Sequence, residues 1–305
     1  LGRGPQGIAR DETRPFRIRW SRPPAPVPNG LVRWKEVAVS SPAVLVEREG
    51  PILIATLNRP EKKNAIDAEA MCRLYDAWVE LDRDDALRVG ILTGRGDTFC
   101  AGMDLAEIGR LQAGVGGNAW LERLRREPHV IFGAWLKTYR PTKPVILAAE
   151  GFARAGGTEI LQGTDIRVAG QSARFGVTEV QRGLFPMAGS AVRLRRQIPY
   201  AIAAEMLLTG EDLPAQRAWE LGLVNHVVAD GQALAKAKEI ARRIAENGPL
   251  AVRALVAVLR ATETLPEEKA FEIEQQHGMK VMMSKDAAEG PRAFLEKRKP
   301  NFTGT

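Results

Sequence analysis

The stretch 144–183, PVILAAEGFARAGGTEILQGTDIRVAGQSARFGVTEVQRG, constrains this chain more than any other. It opens with an apolar run, Val145-Ile146-Leu147-Ala148-Ala149, of the kind found in buried strands. The run breaks at Gly151 and passes through Ala155-Gly156-Gly157 into an expected helix over 158–162. A short strand is expected over 166–169, followed by Phe175-Gly176 and a second carboxylate, Glu179. A strand that turns through small residues into a helix start exposes backbone N–H groups that no helix carbonyl can take. Those donors, at the positive end of the helix dipole, suit a developing oxyanion. Glu159 and Glu179 flank that arrangement as an acid/base pair.

A second Ala/Gly stretch follows the same logic. The expected strand 88–93 ends in Gly94-Arg95-Gly96-Asp97, and Phe99-Cys100-Ala101-Gly102-Met103-Asp104-Leu105 comes next. Small residues after a strand let the backbone approach a ligand closely. Upstream, 44–49 and 52–57 form an expected hairpin with its turn at Glu49-Gly50. Asp67 is positioned to cap a helix over 68–81 that carries Met71, Leu74, Trp78 and Leu81 on one face. Helical sequence over 119–139 is interrupted near Pro128, and Gly114–Gly117 reads as a loop. Further helices are expected over 188–196, 201–208 and 215–221, with a strand over 223–228. Residues 232–299 read as helix, with breaks at Gly248-Pro249, Pro266 and Gly290-Pro291. The order, strand-and-turn units first and helices last, gives an α/β core with a C-terminal helical region.

Charge is unevenly placed. The net charge is +7, but residues 1–36 hold eight basic and three acidic groups, which leaves the body at about +2. Six prolines and no hydrophobic periodicity make 1–36 an expected disordered Arg/Pro-rich extension. A targeting peptide or a nucleic-acid arm are the alternatives for it, and the first would send the protein to mitochondria rather than leave it cytoplasmic. The body carries no charge argument for nucleic acid. No run approaches a membrane span. Cys72 and Cys100 have no metal-ligand spacing, and His129, His226 and His277 are scattered. Metal-based or Ser-His-Asp chemistry is therefore not expected. The expected divisions are the extension 1–36, a core 37–230 and a helical region 231–305.

Five motifs occur in an order that resembles the crotonase (enoyl-CoA hydratase/isomerase) superfamily. They are Asn58-Arg59-Pro60…Asn64-Ala65-Ile66, the Phe99-to-Leu105 stretch, Pro144-to-Glu159, Phe175-Gly176…Glu179, and the closing segment Glu289-to-Pro300. The resemblance runs from about Ala43 to Phe302. It implies a spiral of ββα units, trimers or paired trimers, acyl-CoA substrates, and no cofactor beyond the coenzyme A that arrives with the substrate. It also implies an oxyanion hole from the N–H groups of Ala101 and Gly156. Its acid/base carboxylates fall on Glu159 and Glu179. Keeping both points to hydration of trans-2-enoyl-CoA at C2=C3, with an enoyl-CoA isomerase, another acyl-CoA enzyme or an RNA-binding relative as alternatives. Lys62, Lys63, Ala65, Met103, Asp104 and Leu105 would join Ala101 and Gly156 around the acyl-CoA. Lys297 matches a lysine that reaches a neighbouring subunit's CoA phosphate, and 231–305 would carry the trimer contacts. Three departures concern acyl and CoA contacts: Thr178 where hydratases have proline, Pro186-Met187-Ala188-Gly189-Ser190 in place of a glycine-richer turn, and Gly278 in place of a phenylalanine.

Overall fold

Branched apolar residues alternate with turns through the first half of the folded chain, and they build a six-stranded sheet. The computed structural model describes residues 41–113 and 118–305. The expected extension 1–36, the first residues of the expected core and the Gly114–Gly117 loop lie outside the described residues. The hairpin is β1 (Val44–Glu49) and β2 (Ile52–Leu57), antiparallel, with Glu49 opposite Ile52. Parallel strands then add in the order β3 (Val89–Gly94), β4 (Val145–Ala149), β6 (Ile166–Gly170) and β9 (His226–Val228). A smaller sheet joins β5 (Phe152–Arg154), β7 (Arg174–Gly176) and β8 (Leu213–Pro214).

Both faces of the large sheet are covered, which is why its strands read as continuous apolar runs. On one face Leu53, Leu57, Leu92 and Leu147 pack with α1 (Ala68–Arg83), whose Met71, Leu74, Trp78 and Leu81 are buried. Asp67 caps α1 by accepting the Ala70 N–H at 2.9 Å. The buried Trp78 indole donates to the Ala134 carbonyl at 3.0 Å. On the other face Ile52, Ile54, Val89, Ile91 and Ile146 meet Ala233, Ala237, Ala241 and Ala245 of α9 (Ala233–Ala245). Four alanines at helical spacing let this helix sit close against the strands. α9, just past the expected boundary at 230/231, thus lies as a layer against the sheet.

The connections place the site. After β3 come α2 (Leu105–Ala113), α3 (Ala119–Arg126) and α4 (His129–Ala134), with the α3–α4 break at Pro128 as expected. β4 turns at Gly151 into β5 and then α5 (Gly156–Leu161). β6 turns into β7 and then a 3-10 turn, Glu179–Arg182. Both units have the same order of large-sheet strand, small-sheet strand and helical turn, the repeat of a ββα spiral. Beyond them lie α6 (Ser190–Gln197), α7 (Tyr200–Thr209) and α8 (Ala215–Glu220). The last helices are α10 (Pro249–Ala261), α11 (Glu267–Met282) and α12 (Lys285–Leu295).

Two expected features differ. Leu223 and Val224 are not strand; the Leu223 N–H donates to Ala218 at the end of α8, which leaves only His226–Val228 to pair with β6. Gly290-Pro291 does not break the helix, and Pro291 lies inside α12. An interior proline costs about 3 kcal/mol. Anchoring offsets it: the Ser284 hydroxyl caps the Ala287 N–H at 3.1 Å, Asp286 accepts the Thr303 and Gly304 N–H groups, and Glu289 accepts the Asn301 N–H at 2.8 Å and pairs with Arg298.

Candidate active site

The two Ala/Gly stretches, far apart in sequence, meet as neighbouring strand ends. The Cys100 N–H donates to the Phe152 carbonyl and the Arg154 N–H to the Cys100 carbonyl, each at 2.9 Å. Gly102 has a φ of +99°, and a Cβ there would lie 2.9 Å from the Ala155 Cβ and 3.1 Å from the Gly156 nitrogen. A Cβ on Gly157 would lie 2.5 Å from the Cys100 carbonyl oxygen. Only glycine permits this approach of two backbones. Ala155, at φ 50°, turns the chain sharply into α5.

The approach decides which N–H groups are free. Ala101, the expected oxyanion donor, is corrected here, because its N–H is already donated to the Lys63 carbonyl at 3.0 Å. Two residues on, Ile66 pairs with Met103 by donating its own N–H to Gly102 O and accepting the Asp104 N–H. That pattern points the Met103 N–H away from Ile66. Among the described residues neither the Met103 N–H nor the Gly156 N–H has an acceptor. Gly156 heads α5, so its N–H is one of the donors that a helix leaves unpaired. Met103 and Gly156 thus each offer a free donor, one from each turn.

The carboxylates differ in their surroundings. Glu159 is 3 % exposed, and its Oε1 accepts the Ser190 N–H at 3.1 Å. Burial raises its pKa above the usual carboxylate value, while the N–H groups of Ser190, Ala188 and Gly189 and the charge of Lys137 act against the rise. Glu179 begins the 3-10 turn, and its Oε2 is buried with no partner among the described residues. Burial, with the Glu159 charge second, pushes it up to about 7, while its own backbone N–H and Arg182 pull the other way.

Both carboxyls line one cavity of about 840 Å³. Of the expected residues, Lys62, Ala65, Ala101, Met103, Asp104, Leu105, Gly156, Glu159 and Glu179 also line it. Lys63 and Lys297 do not. Lys63 contributes its carbonyl to hold Ala101, and Lys297 follows α12 in a left-handed conformation at φ 54°. Asp104 accepts the Ala106 N–H and pairs with Arg59, which fixes the start of α2. Sequence reasoning missed the apolar wall, Ile131, Phe132 and Trp135, and the rim residues Arg154, Arg182, Leu184 and Phe185. The Trp135 ring lies where a Gly156 Cβ would be, 2.5 Å from that position. The turn 186–190, noted only as a departure, supplies the N–H groups on Glu159; Gly189, at φ +130°, is the signal that could have shown it. Among the described residues no cluster of His, Cys, Asp or Glu could hold a metal ion, and no helix is long and apolar enough to cross a membrane.

Comparison with known proteins follows the same lines. Residues 47–305 match the model of the enoyl-CoA hydratase/isomerase family. The chain is 53 % identical over 266 residues to enoyl-CoA hydratase EchA19 of Mycobacterium tuberculosis, spanning 86 % of this chain and 97 % of that protein. It is 36 % identical over 274 residues to carnitinyl-CoA dehydratase of Salmonella typhi, spanning 87 % of this chain and 99 % of that protein. Among solved structures, an enoyl-CoA hydratase from Mycobacterium tuberculosis superposes with a TM-score of 0.78 at 44 % identity, covering 87 % of this chain and 100 % of that one. Enoyl-CoA hydratase EchA1 from Mycobacterium marinum gives a TM-score of 0.79 at 43 % identity, with the same coverage.

Proposed function

The chain belongs to the enoyl-CoA hydratase/isomerase family, and from that premise we propose that it hydrates trans-2-enoyl-CoA to 3-hydroxyacyl-CoA. The observation that carries the reading is the pair of carboxyls of unequal acidity beside two free N–H groups in one cavity. The thioester oxygen sits between the Met103 and Gly156 N–H groups, which stabilise the charge that builds there as C3 is attacked. One such donor is typically worth about 2.7–4 kcal/mol of activation free energy. Glu159, ionised, takes a proton from water while the water oxygen bonds to C3. Glu179, protonated, gives its proton to C2. Glu159 then holds one proton and Glu179 has lost one, and transfer from Glu159 to Glu179 restores the starting state. No group beyond these side chains and the substrate's own coenzyme A is required.

The reading includes a homo-oligomer, a trimer or paired trimers. Its support is the apolar surface that Leu259, Phe271, Met282 and Phe294 expose on α10, α11 and α12. Lys297, away from this chain's own cavity, would serve a neighbour's CoA. Free thiols at Cys72 and Cys100 suit a cytoplasmic location.

The test is the loss of enone-thioester absorbance from crotonyl-CoA and a longer trans-2-enoyl-CoA, with products weighed by mass spectrometry. The expected product is heavier by one water with wild type and absent with Glu179→Gln. A product of unchanged mass with a moved double bond would overturn hydration in favour of isomerisation.

A further inference from the structure

Behind Glu159 lies a buried polar link that the proposed chemistry does not use. Gln162, at the C-terminal end of α5, follows Glu159 by three residues and Thr158 by four, so each of them lies within one helical turn of it. Gln162 is 1 % exposed. Its Nε2 donates to the Ser190 hydroxyl at 2.7 Å and to the Thr158 carbonyl at 3.2 Å. A carbonyl can only accept, so Thr158 fixes which end of the amide is nitrogen, and Ser190 receives a hydrogen bond from it. Ser190, fully buried, is the first residue of α6, and its own N–H is the one on Glu159 Oε1. The far end of α6 is tied down too: Gln197 Nε2 donates to the Gln162 carbonyl at 3.0 Å. Gln162 Oε1 is buried with no partner among the described residues. A buried amide with one end unsatisfied is a poor choice for filling space, where leucine or methionine would serve.

We propose that Gln162 is a positioning residue: it grips the Ser190 hydroxyl so that the Ser190 N–H stays on the Glu159 carboxylate. The assignment rests on the hydratase reading for its catalytic consequence. The charged groups acting on Glu159 are Glu179 from the 3-10 turn, Lys137 from the segment after α4 and Arg193 from α6. None of them is altered by changing Gln162 or Ser190. Loosening the Ser190 N–H removes a contribution that favours the ionised form of Glu159. Its ionisation then moves to higher pH, and with it the acidic limb of kcat.

The experiment compares wild type, Gln162→Leu, Ser190→Ala and the double variant in kcat, KM and pH profile with crotonyl-CoA. Each single variant is expected to lower kcat about tenfold, the scale of one lost hydrogen bond. KM should hold within about twofold, the acidic limb should move up, and the double variant should be no worse than either single. A folded variant with unchanged kcat and limb, effects confined to KM, or additive losses would each overturn the proposal. If Gln162→Leu does not fold, Ser190→Ala decides by the same kcat, KM and limb criteria. If wild type adds no water to any enoyl-CoA, the hydratase reading fails. Isotope-edited infrared titration of the Glu159 carboxyl then decides the positioning role separately: a higher midpoint in Ser190→Ala supports it, and an unchanged one overturns it.

Discussion

Glu159 and Glu179 carry the same carboxyl on two different supports. Glu159 lies in a regular helix, with the N–H groups of a glycine-containing turn aimed at its oxygens. Glu179 heads a 3-10 turn, with one oxygen buried and unpartnered among the described residues. Burial raises both. On the first, backbone donors offset part of that rise. On the second, the neighbouring Glu159 charge adds to it. Two carboxyls facing one cavity cannot both ionise cheaply, and in the proposed reaction the one with donors carries the charge while the other carries the proton. On that proposal, base and acid are told apart by backbone geometry rather than by residue type.

The sharpest way to break this contrast is Glu159→Gln. Loss of a general base lowers kcat by about 10²–10⁴-fold. The same change removes the like charge, so Glu179 should ionise below its present value of about 7. Kinetics measures the first effect and a carboxyl titration the second. A Glu179 value still near 7 would mean that burial alone, without the pairing, sets it.

A smaller effect appears in stability. The folded-state value of Glu179, about 7, lies above its ordinary value of 4.5. Between those limits the folded protein binds the extra proton, so stability falls as pH rises through the window. Glu179→Gln removes that penalty. It should be more stable than wild type at about pH 8, on the order of 2 kcal/mol after allowance for partial solvation, and equal to it at about pH 4. Denaturant unfolding at both pH values checks it; an equal gain at both would point to packing instead of ionisation.

The smallest effect concerns Arg182, which lowers the Glu179 value from an exposed position. Arg182→Met should move the alkaline limb of kcat/KM to slightly higher pH, with kcat at the optimum nearly unchanged. A shift to lower pH would show that Arg182 acts on Glu179 through structure and not charge.

Much of the architecture was legible before any coordinates. The Glu49-Gly50 turn, the Asp67 cap, the face of α1 and the strand-to-helix turn before Glu159 all follow from local sterics and short-range periodicity. The position of α9 was not legible. Its alanine stripe fits a helix in a solvent-facing tail as well as one laid across a sheet, and only contact with Ile54, Ile91 and Ile146 distinguishes them. The apolar wall was hidden for a similar reason: Ile131, Phe132 and Trp135 sit in a helical segment whose pattern does not say what it faces.

By itself the sequence determined where the backbone could come close to a ligand and which carboxyls stood near, because glycine tolerance and strand periodicity are properties of a few adjacent residues. The tertiary structure alone decided that Ala101 spends its N–H on Lys63 while Met103 keeps its own free. It alone decided that Ser190 and its neighbours hold Glu159. A hydrogen-bond donor is free or occupied, and a carboxyl acid or base, according to which distant segment folds against it, and nothing in the residue's own neighbourhood along the chain carries that information.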